Sequence, residues 1–407
     1  MAAAYSLLSA EAVRTRAHQM LALGLADKLP NFRVDLSQLD ATAARVIDVT
    51  RKAYPSLDIP FHARWRHFAV NGVDRFAATA DKAAFADAAD RGRAEFDLAI
   101  VSVFLDAGAG AQWRYLDTVS GQRIGRSEGL ALASLDMFAS GAFSADPARP
   151  TRVDAEVLAQ LSAEKLAQGF QVTAGNPLVG LEGRAALLRR LGALVAEKPG
   201  VFARNDSPRP GGLFDHLAAP GDGRTIAAPQ ILPELLRELG PIWPSRITLG
   251  GVPLGDCWRH SAMTTSDATN GLVPLHKLSQ WLAYSLIEPL QRAGVTVTDI
   301  DGLTGLAEYR NGGLFIDSGV LVLRDPAQAT LPRDAGSELV VEWRTLTVAL
   351  LDRLAAVIRE RLGLDPVTLP LAKVLEGGTW AAGRAIARER RADGAPPLTV
   401  ISDGTVF

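Results

Sequence analysis

Cysteine is almost absent from this sequence. Cys257 is the only one among 407 residues, which excludes an internal disulfide and any zinc or iron–sulfur site built from several thiolates. An excess of either charge is also absent, since 43 lysines and arginines balance 45 aspartates and glutamates. A net charge of -2 creates no overall field that would attract nucleic acid or an anionic membrane. We expect neither as a partner, and a reducing compartment fits the single thiol.

Long apolar runs are missing too. The first 20 residues meet charges at Glu11 and Arg14, so they lack the uninterrupted apolar stretch of a secretory signal. No later run approaches the roughly 20 apolar residues that a membrane helix needs. We expect a cytoplasmic protein that does not span a membrane.

The familiar catalytic signatures are also absent. The sequence has no P-loop, no His-Glu-x-x-His, no Gly-x-Ser-x-Gly and no Gly-x-Gly-x-x-Gly after a strand. These absences disfavour phosphotransfer, redox and serine-hydrolase chemistry. No two histidines stand two to four residues apart; they are His18, His62, His67, His216, His260 and His276. We predict no bound metal and no cofactor, with a zinc site assembled from distant residues as the alternative.

What the sequence does contain is helical periodicity. Apolar residues recur about every 3.6 residues, whereas alternating β-branched stretches are scarce, so the sequence predicts a mainly α fold with a few short strands. The clearest helices are 181–201 and 338–362, the second ending at Gly363. Further helices are predicted near 9–26, 38–54, 79–91, 95–107, 127–139, 154–168, 230–239, 275–293 and 378–391, and strands near 246–249 and 315–323.

One stretch is too rich in Pro, Gly and Asp for regular structure. It covers 203–223 and is the only credible internal boundary. Its apolar residues 213–217 favour an ordered loop folded over the body rather than a free linker. We predict a single compact domain over 1–407, and the composition permits a homodimer.

A run of carboxylates among glycines is the first candidate for chemistry. Asp299, Asp301 and Glu308 stand close to Arg310 in the stretch 298–313, and grouped carboxylates suit acid–base work or stabilisation of positive charge. The structural alternative is that one aspartate caps a helix while Glu308 pairs with Arg310.

Upstream, a helix begins near Lys277. Helix N-termini bind anions, and Lys277 and Gln280 share one face, so this end suits a phosphate; a solvated helix start is the alternative.

Aromatic residues mixed with cations occur at 61–68 and 255–260, where they either stack a planar ligand or pack on a core tryptophan. Further candidates are Trp113 and the group Arg123, Arg126, Ser127 and Glu128, whereas Cys257 has only His260 as a base.

Seven stretches together resemble the uracil catabolism protein 4 family. They are 6–21, 61–75, 127–144, 176–192, 272–290, 303–321 and 341–354. The resemblance implies a place in uracil degradation, with a small nucleotide or ribosylurea-type molecule as substrate.

The order of motifs is also similar to that of the queuosine-nucleotide N-glycosylases, which resemble helical DNA glycosylases in shape. Their motif Asp-x-x-x-[Leu/Ile]-Thr-x-Phe-Ala-Asp-Tyr-Arg is matched from Asp299 to Arg310, with Glu308 in place of Asp and Leu306 in place of Phe. Other matching positions are Lys277, Gln280, Pro177, Leu178, Val179, Arg184 with nearby Glu182, Val341, Glu342 and Arg344. The chain departs at Gly312-Gly313 and lacks that family's acidic, His-rich tail, so a large modified purine is not the expected substrate.

Together the resemblances imply hydrolysis of the C1'–N bond of a ribose phosphate, with urea or a ureido fragment leaving. Asp299 is the first choice for the catalytic carboxylate, and Asp301 or Glu308 would hold ribose hydroxyls or water. The predicted substrate-binding residues are Lys277, Gln280 and Arg184 for phosphate, Arg310, His260 and Asp256 for the leaving group, and Glu182, Trp258 and Tyr309. The alternatives are a metal-dependent ureido or amide hydrolase and a non-catalytic nucleotide sensor.

Overall fold

The computed structural model describes residues 1–203, 207–218, 225–243 and 246–401. The fold is mainly α-helical with a few short strands, which confirms the predicted fold class. The helices are α1 Ala2–Tyr5, α2 Ala10–Leu25, α3 Leu39–Ala53, α4 Arg75–Ala80, α5 Ala88–Phe104, α6 Arg126–Ala139, α7 Ala155–Ala159, α8 Ala163–Gly169, α9 Leu181–Glu197, α10 Pro199–Phe202, α11 Gly212–Ala218, α12 Ile231–Glu238, α13 Lys277–Arg292, α14 Tyr309–Asp317, α15 Glu338–Leu362, α16 Leu371–Val374 and α17 Trp380–Arg390.

The strands are two or three residues long and pair two by two within the described ranges. They are β1 Phe32–Val34, β2 Ala69–Val70, β3 Val73–Asp74, β4 Tyr115–Leu116, β5 Arg123–Ile124, β6 Thr225–Ala227, β7 Thr248–Leu249, β8 Val252–Pro253, β9 Cys257–Arg259, β10 Leu272–Pro274, β11 Thr296–Thr298, β12 Leu321–Leu323, β13 Arg333–Asp334 and β14 Val400–Ile401. The pairs β6–β11 and β13–β14 are parallel, and the other five are antiparallel. Pairs this small hold neighbouring loops together but form no larger sheet. The positions of the functional side chains are therefore set mainly by the helices.

The long helix α15 lies in the core and has the predicted bounds. Almost every residue from Leu339 to Leu351 is buried, because α2, α3 and α14 pack around it. Gly363 follows with a φ of 67° and ends the helix, as the sequence predicts. One hydrophobic cluster reaches from Ala4 to Leu398. The division into domains stays a prediction.

Several predicted boundaries are wrong because polar side chains cap the helices. Asp87 accepts from the backbone N–H of Asp90 at 2.7 Å and starts α5, so the helices predicted over 79–91 and 95–107 are replaced by the short α4 and one long helix. The single helix predicted over 154–168 is divided into two helices, α7 and α8. Ser162 starts the second by accepting from the Lys165 backbone N–H at 3.1 Å.

The strand predicted over 315–323 is also wrong in its first half. Helix α14 runs to Asp317, and the strand is confined to Leu321–Leu323. The apolar residues 314–316 belong to a helix that packs on the core. A short apolar run in a sequence fits a buried helix as well as a strand, so the pattern alone does not decide between them. The strand predicted over 246–249 is reduced to Thr248–Leu249.

The stretch 203–223 is less irregular than predicted. Residues 212–218 form α11, in which Leu213, Phe214 and Leu217 are buried, so the apolar residues do pack against the body. Residues 204–206 and 219–223 lie outside the described ranges. Among the residues that the structure describes, no helix has the length and apolarity that crossing a membrane requires.

Helix α13 carries a proline near its C-terminal end. Pro289 has no backbone N–H, so the carbonyl of Ser285 four residues earlier lacks its usual helical donor. The indole N–H of Trp65 donates to this carbonyl at 2.7 Å. The Ser285 hydroxyl accepts from the backbone N–H of Arg64 at 2.9 Å. The segment carrying Arg64 and Trp65 is thereby fixed against α13.

Candidate functional site

Lys277 is the first residue of α13, and Asp256 fixes that end of the helix. The Asp256 carboxylate accepts from the Lys277 backbone N–H at 3.0 Å, and its backbone carbonyl accepts from His276 N–H at 3.1 Å. His276 adopts the left-handed region with a φ of 47°, which a residue with a Cβ enters only when its surroundings hold it there. The position of Lys277 is therefore determined by a constrained turn.

A single guanidinium joins this turn to the segment before α14. Arg344 on α15 donates two hydrogen bonds of 2.8 Å to the Asp256 carboxylate and one of 3.1 Å to the carbonyl of Ala307. Burial alone would raise the pKa of Asp256, but Arg344 outweighs it and the pKa lies far below its usual value. Asp256 is thus ionised and structural, and Arg344 holds the segments leading to Lys277 and Glu308 together.

Glu308 caps α14. Its carboxylate oxygens accept from the backbone N–H groups of Arg310 at 2.7 Å and Asn311 at 2.5 Å. The preceding residues are fixed to α13, because Gln280 Nε2 donates to Thr304 Oγ1 at 2.8 Å. Capping fixes the orientation of the Glu308 carboxylate in a buried position.

Lys277 and Glu308 perturb each other electrostatically. Burial raises the pKa of Glu308 and lowers the pKa of Lys277, while the opposite charge of each group partly offsets the shift of the other. Within the described ranges the Lys277 ammonium has no hydrogen bond or ion pair of its own. Mutual perturbation of a buried carboxylate and a partly buried lysine is typical of a catalytic site.

Asp106 and Arg64 form an ion pair whose carboxylate acts on Lys277. Arg64 Nη1 lies 2.6 Å from Asp106 Oδ1, and the Ser127 hydroxyl donates to Asp106 Oδ2 at 2.8 Å. The charge of Asp106 acts on Lys277. Arg64 is 0% exposed, yet its Nη2 has no partner among the described residues.

Trp281 forms an aromatic wall beside Arg64. Its ring lies 5.5 Å from the Arg64 Cζ and 5.5 Å from the His67 ring, and its indole N–H is buried without a partner in the described structure. Burial, and then the Arg64 charge, lower the pKa of His67 well below its usual value, so this ring is neutral at neutral pH. We call Lys277, Glu308, Asp106, Arg64, His67 and Trp281 the central site.

His62 lies at the edge of the central site. Its Nδ1 is 2.7 Å from the Glu376 carboxylate, and its charge acts on Glu308. Burial would raise the pKa of Glu376, but the hydrogen bond to His62 and the nearby positive charges together outweigh it, and the pKa is lowered. Glu376 belongs to a π turn, Leu375–Thr379, a local irregularity that is frequent at functional sites.

A protein-family model described as "Protein of unknown function (DUF1688)" matches residues 6–407. The chain belongs to the DUF1688 family. Protein urg3 of Schizosaccharomyces pombe (strain 972 / ATCC 24843) is 40% identical over 409 residues, which cover 98% of this chain and 98% of its own. Uracil catabolism protein 4 of Lachancea kluyveri is 37% identical over 409 residues, which cover 93% of this chain and 92% of its own. The resemblance to the uracil catabolism protein 4 family is confirmed.

In this DUF1688 chain the carboxylates of the stretch 298–313 separate. Asp299 is exposed with a φ of 49° and lines a surface pocket that also contains Arg14, Asp352 and Arg359. Asp301 lines the same pocket, where it accepts from Arg359 at 2.6 Å and from Leu371 N–H at 2.6 Å. The structure therefore brings Glu308 within electrostatic range of Lys277 but leaves both aspartates in a different pocket. Their catalytic roles stay predictions.

The other residues predicted to bind phosphate already have partners. Gln280 is bonded to Thr304. Arg184 donates to three backbone carbonyls, those of Leu105, Ala107 and Gly108, at 2.5 to 2.9 Å, and burial lowers its pKa to about 10. Arg184 thus shapes the loop that carries Asp106.

Glu182 is exposed and forms an ion pair with Arg189 at 2.6 Å. Its carboxylate lies on the surface of α9, whereas Arg184 points into the protein. The structure does not bring Glu182 to the central site.

Three of the predicted substrate-binding residues, His260, Trp258 and Asp256, form structural contacts. His260 Nδ1 accepts from Ala262 N–H at 3.1 Å, so its Nε2 donates to Glu342 at 3.1 Å. Trp258 donates to Asp256 at 2.6 Å.

Arg310 and Tyr309 follow Glu308 directly and lie beside the central site. Arg310 stacks 4.9 Å from the Tyr309 ring and donates to the carbonyl of Gly394 at 2.8 Å. Burial, and then the Glu308 charge, raise the pKa of Tyr309.

Sequence reasoning gave Arg64, His67, Trp281 and Asp106 no catalytic role. The aromatic and basic composition of 61–68 marked that segment as a candidate for stacking a planar ligand. The pairing of Arg64 with Asp106 across 42 positions had no local signal. Within the described residues, no group of three or more His, Cys, Asp or Glu side chains has the arrangement of a metal site.

Proposed function

We propose that this protein acts in uracil degradation, where it hydrolyses the N-glycosidic bond of a ribosylurea-type ribose phosphate to ribose phosphate and urea. The name of the 37% identical relative, Uracil catabolism protein 4, supports the pathway. The observation that supports the reaction is the pair of the buried Glu308 and the partly buried Lys277, with each pKa shifted toward neutrality.

In this proposal Glu308 is the catalytic carboxylate. Breaking the C1'–N bond leaves positive charge on the sugar ring, which a fixed carboxylate stabilises. A water oxygen then bonds to C1', and Glu308 takes one of the water protons. Its helix-capping bonds hold the carboxylate in one orientation while leaving lone pairs for this contact.

Lys277 supplies the proton that the leaving group needs. A urea nitrogen leaves poorly as an anion, so an acid must protonate it as the bond breaks. Burial lowers the pKa of Lys277 and makes its ammonium a stronger acid. Transfer of the proton from Glu308 to Lys277 then restores both groups, and each turnover consumes one water.

The ureido group has suitable donors beside this pair. Arg64 Nη2 and the Trp281 indole N–H are both buried without partners in the described residues. Buried donors cost free energy when they are unpaired, and a planar ureido carbonyl is an acceptor that satisfies them.

The test is to mix the purified protein with ribosylurea 5-phosphate or UMP, without added metal, and to detect ribose 5-phosphate and urea by mass spectrometry. Release of both products from the ureido substrate alone is expected. Tight binding without turnover would indicate a nucleotide sensor instead. Cleavage within the ureido chain that requires an added divalent metal would indicate an amide-type hydrolase.

A further inference from the structure

Arg126 is an exposed arginine held in a costly backbone conformation. It begins α6 with a φ of 57°, in the left-handed region that residues with a Cβ rarely adopt. Its guanidinium has no hydrogen bond or ion pair within the ranges that the structure describes. Strain of this kind persists where the surrounding structure enforces it, often at ligand sites.

Arg384 on α17 comes close to the same end of α6. Its Nη1 lies 3.7 Å from the Glu128 carboxylate, too far for a direct hydrogen bond, and its Cζ lies 4.7 Å from the Trp380 ring. The stacking holds the guanidinium in place, while the loose ion pair leaves N–H groups for another acceptor.

The backbones of α14 and α17 approach closely here. A Cβ on Gly383 would lie 2.2 Å from the carbonyl oxygen of Arg310, so only glycine fits between the two helices. This contact places Arg310 beside Arg384.

Positive charge accumulates at this junction. Burial lowers the pKa of Arg384, and the neighbouring Arg126, Arg388 and Arg310 lower it further, while Glu128 acts in the opposite direction. Gathering several guanidiniums at one junction is unfavourable unless an anion joins them. Arginine forks match phosphate oxygens in geometry as well as charge.

The junction is joined to the central site through α6. Ser127, next to Arg126, donates its hydroxyl to Asp106 and accepts from Arg64 at its carbonyl. The charges of both Arg126 and Glu308 act on Tyr309. Tyr309 is therefore within electrostatic range of both Arg126 and Glu308.

We propose that Arg126 and Arg384 bind the phosphate of a sugar-phosphate substrate, with Arg310 adding positive charge beside them. This inference rests on the proposed function, since it places the sugar ring between this phosphate site and Glu308. It differs from the sequence-based expectation, in which Lys277, Gln280 and Arg184 bind the phosphate, because Gln280 and Arg184 already have partners.

The test uses ribose 5-phosphate, the phosphate-bearing product, as a probe in isothermal titration calorimetry. Replacing either arginine by alanine removes charge-assisted hydrogen bonds, so R126A and R384A should each weaken binding about tenfold to 100-fold. R237A is the matched control, because Arg237 is an exposed arginine that pairs with Glu234 on a different helix, α12. Thermal melting checks that each variant is folded, and R126K should restore part of the affinity.

The same variants separate this inference from the proposed function. Wild-type-like binding in R126A and R384A, or no binding of ribose 5-phosphate by the wild type at millimolar concentration, would overturn the phosphate site. Selective loss of binding with no urea release by the wild type would support the site and overturn the glycosidase reaction. If the enzyme does turn over, R126A should raise KM for ribosylurea 5-phosphate more than it lowers kcat.

Discussion

Two regions of the molecule take their carboxylates from one short stretch of sequence. At its start, Asp299 and Asp301 lie in a surface pocket, and Asp301 pairs with Arg359. At its end, Glu308 is buried beside Lys277. Seven positions of sequence separate Asp301, which belongs to a partly exposed ion pair, from Glu308, which belongs to a perturbed acid–base pair. Burial, rather than the density of carboxylates in the sequence, decides which of them is suited to chemistry.

The largest expected effect is on the buried carboxylate. Glu308→Gln keeps the size of the side chain but removes its negative charge, so kcat should fall about a thousandfold. Glu308→Asp keeps a carboxylate and should retain more activity than the glutamine variant. Turnover of ribosylurea 5-phosphate measures both, and equal activity of the glutamine variant and the wild type would remove Glu308 from catalysis.

The next effect is on stability. Arg344→Met leaves Asp256 ionised without its buried partner, so the free energy of unfolding should fall by about 3 to 5 kcal/mol. Arg359→Met is the comparison at the surface pocket and should cost less, about 1 to 2 kcal/mol, because Asp301 is partly exposed although the Leu369 carbonyl loses its donor. Urea denaturation followed by circular dichroism gives both values. Similar losses in the two variants would contradict the contrast between the regions.

A smaller effect concerns the pH dependence of kcat/KM. Lys277→Met removes the proposed proton donor, so kcat should fall about a hundredfold or more, and the pH profile is read from the remaining activity. The Lys277 ammonium favours the ionised form of Glu308, so this variant should also raise the pKa of Glu308 further. If the ionised carboxylate is the active form, activity disappears as pH falls through this pKa, and the acidic limb should move upward by about 1 pH unit.

Lys277→Arg keeps the charge and serves as the control for this pH profile. Its acidic limb should stay near that of the wild type. An unmoved limb in Lys277→Met would show that the two groups are not coupled.

The smallest effect is expected at Asp299. Asparagine tolerates the left-handed conformation as well as aspartate does, and the side chain is exposed. Asp299→Asn should therefore keep kcat/KM within about twofold and the free energy of unfolding within about 0.5 kcal/mol. Loss of turnover with intact substrate binding would instead restore Asp299 as the catalytic carboxylate that the motif predicts.

Much of the fold follows from apolar periodicity, but element boundaries do so only in part. Helix α15 is uninterrupted in pattern and ends at a glycine, so its bounds are predicted correctly. Helix α5 was predicted as two pieces because its first turns carry charged residues. In the fold these charges pair along and across helices, as Arg91 does with Glu95 at 2.8 Å.

The central site was predictable only in its separate parts. Lys277 and Glu308 stand out by local composition, and the resemblances place them in ordered motifs. The constrained turn at Asp299 and the short helical turn at 300–302 separate them from the aspartates, and such geometry leaves no periodic signal. Pairing Arg64 with Asp106 requires the helices to be assembled first.

The proline in α13 has a consequence for how the site is assembled. The Ser285 carbonyl, which has no helical donor because residue 289 is a proline, accepts from the Trp65 indole N–H. The segment with Arg64 thus attaches at a point that exists once α13 has formed, more than 200 residues later in the chain. We therefore expect this attachment to be a late folding step, which hydrogen exchange would detect as a separate unit. The helical core should form before Arg64 reaches its position in the central site.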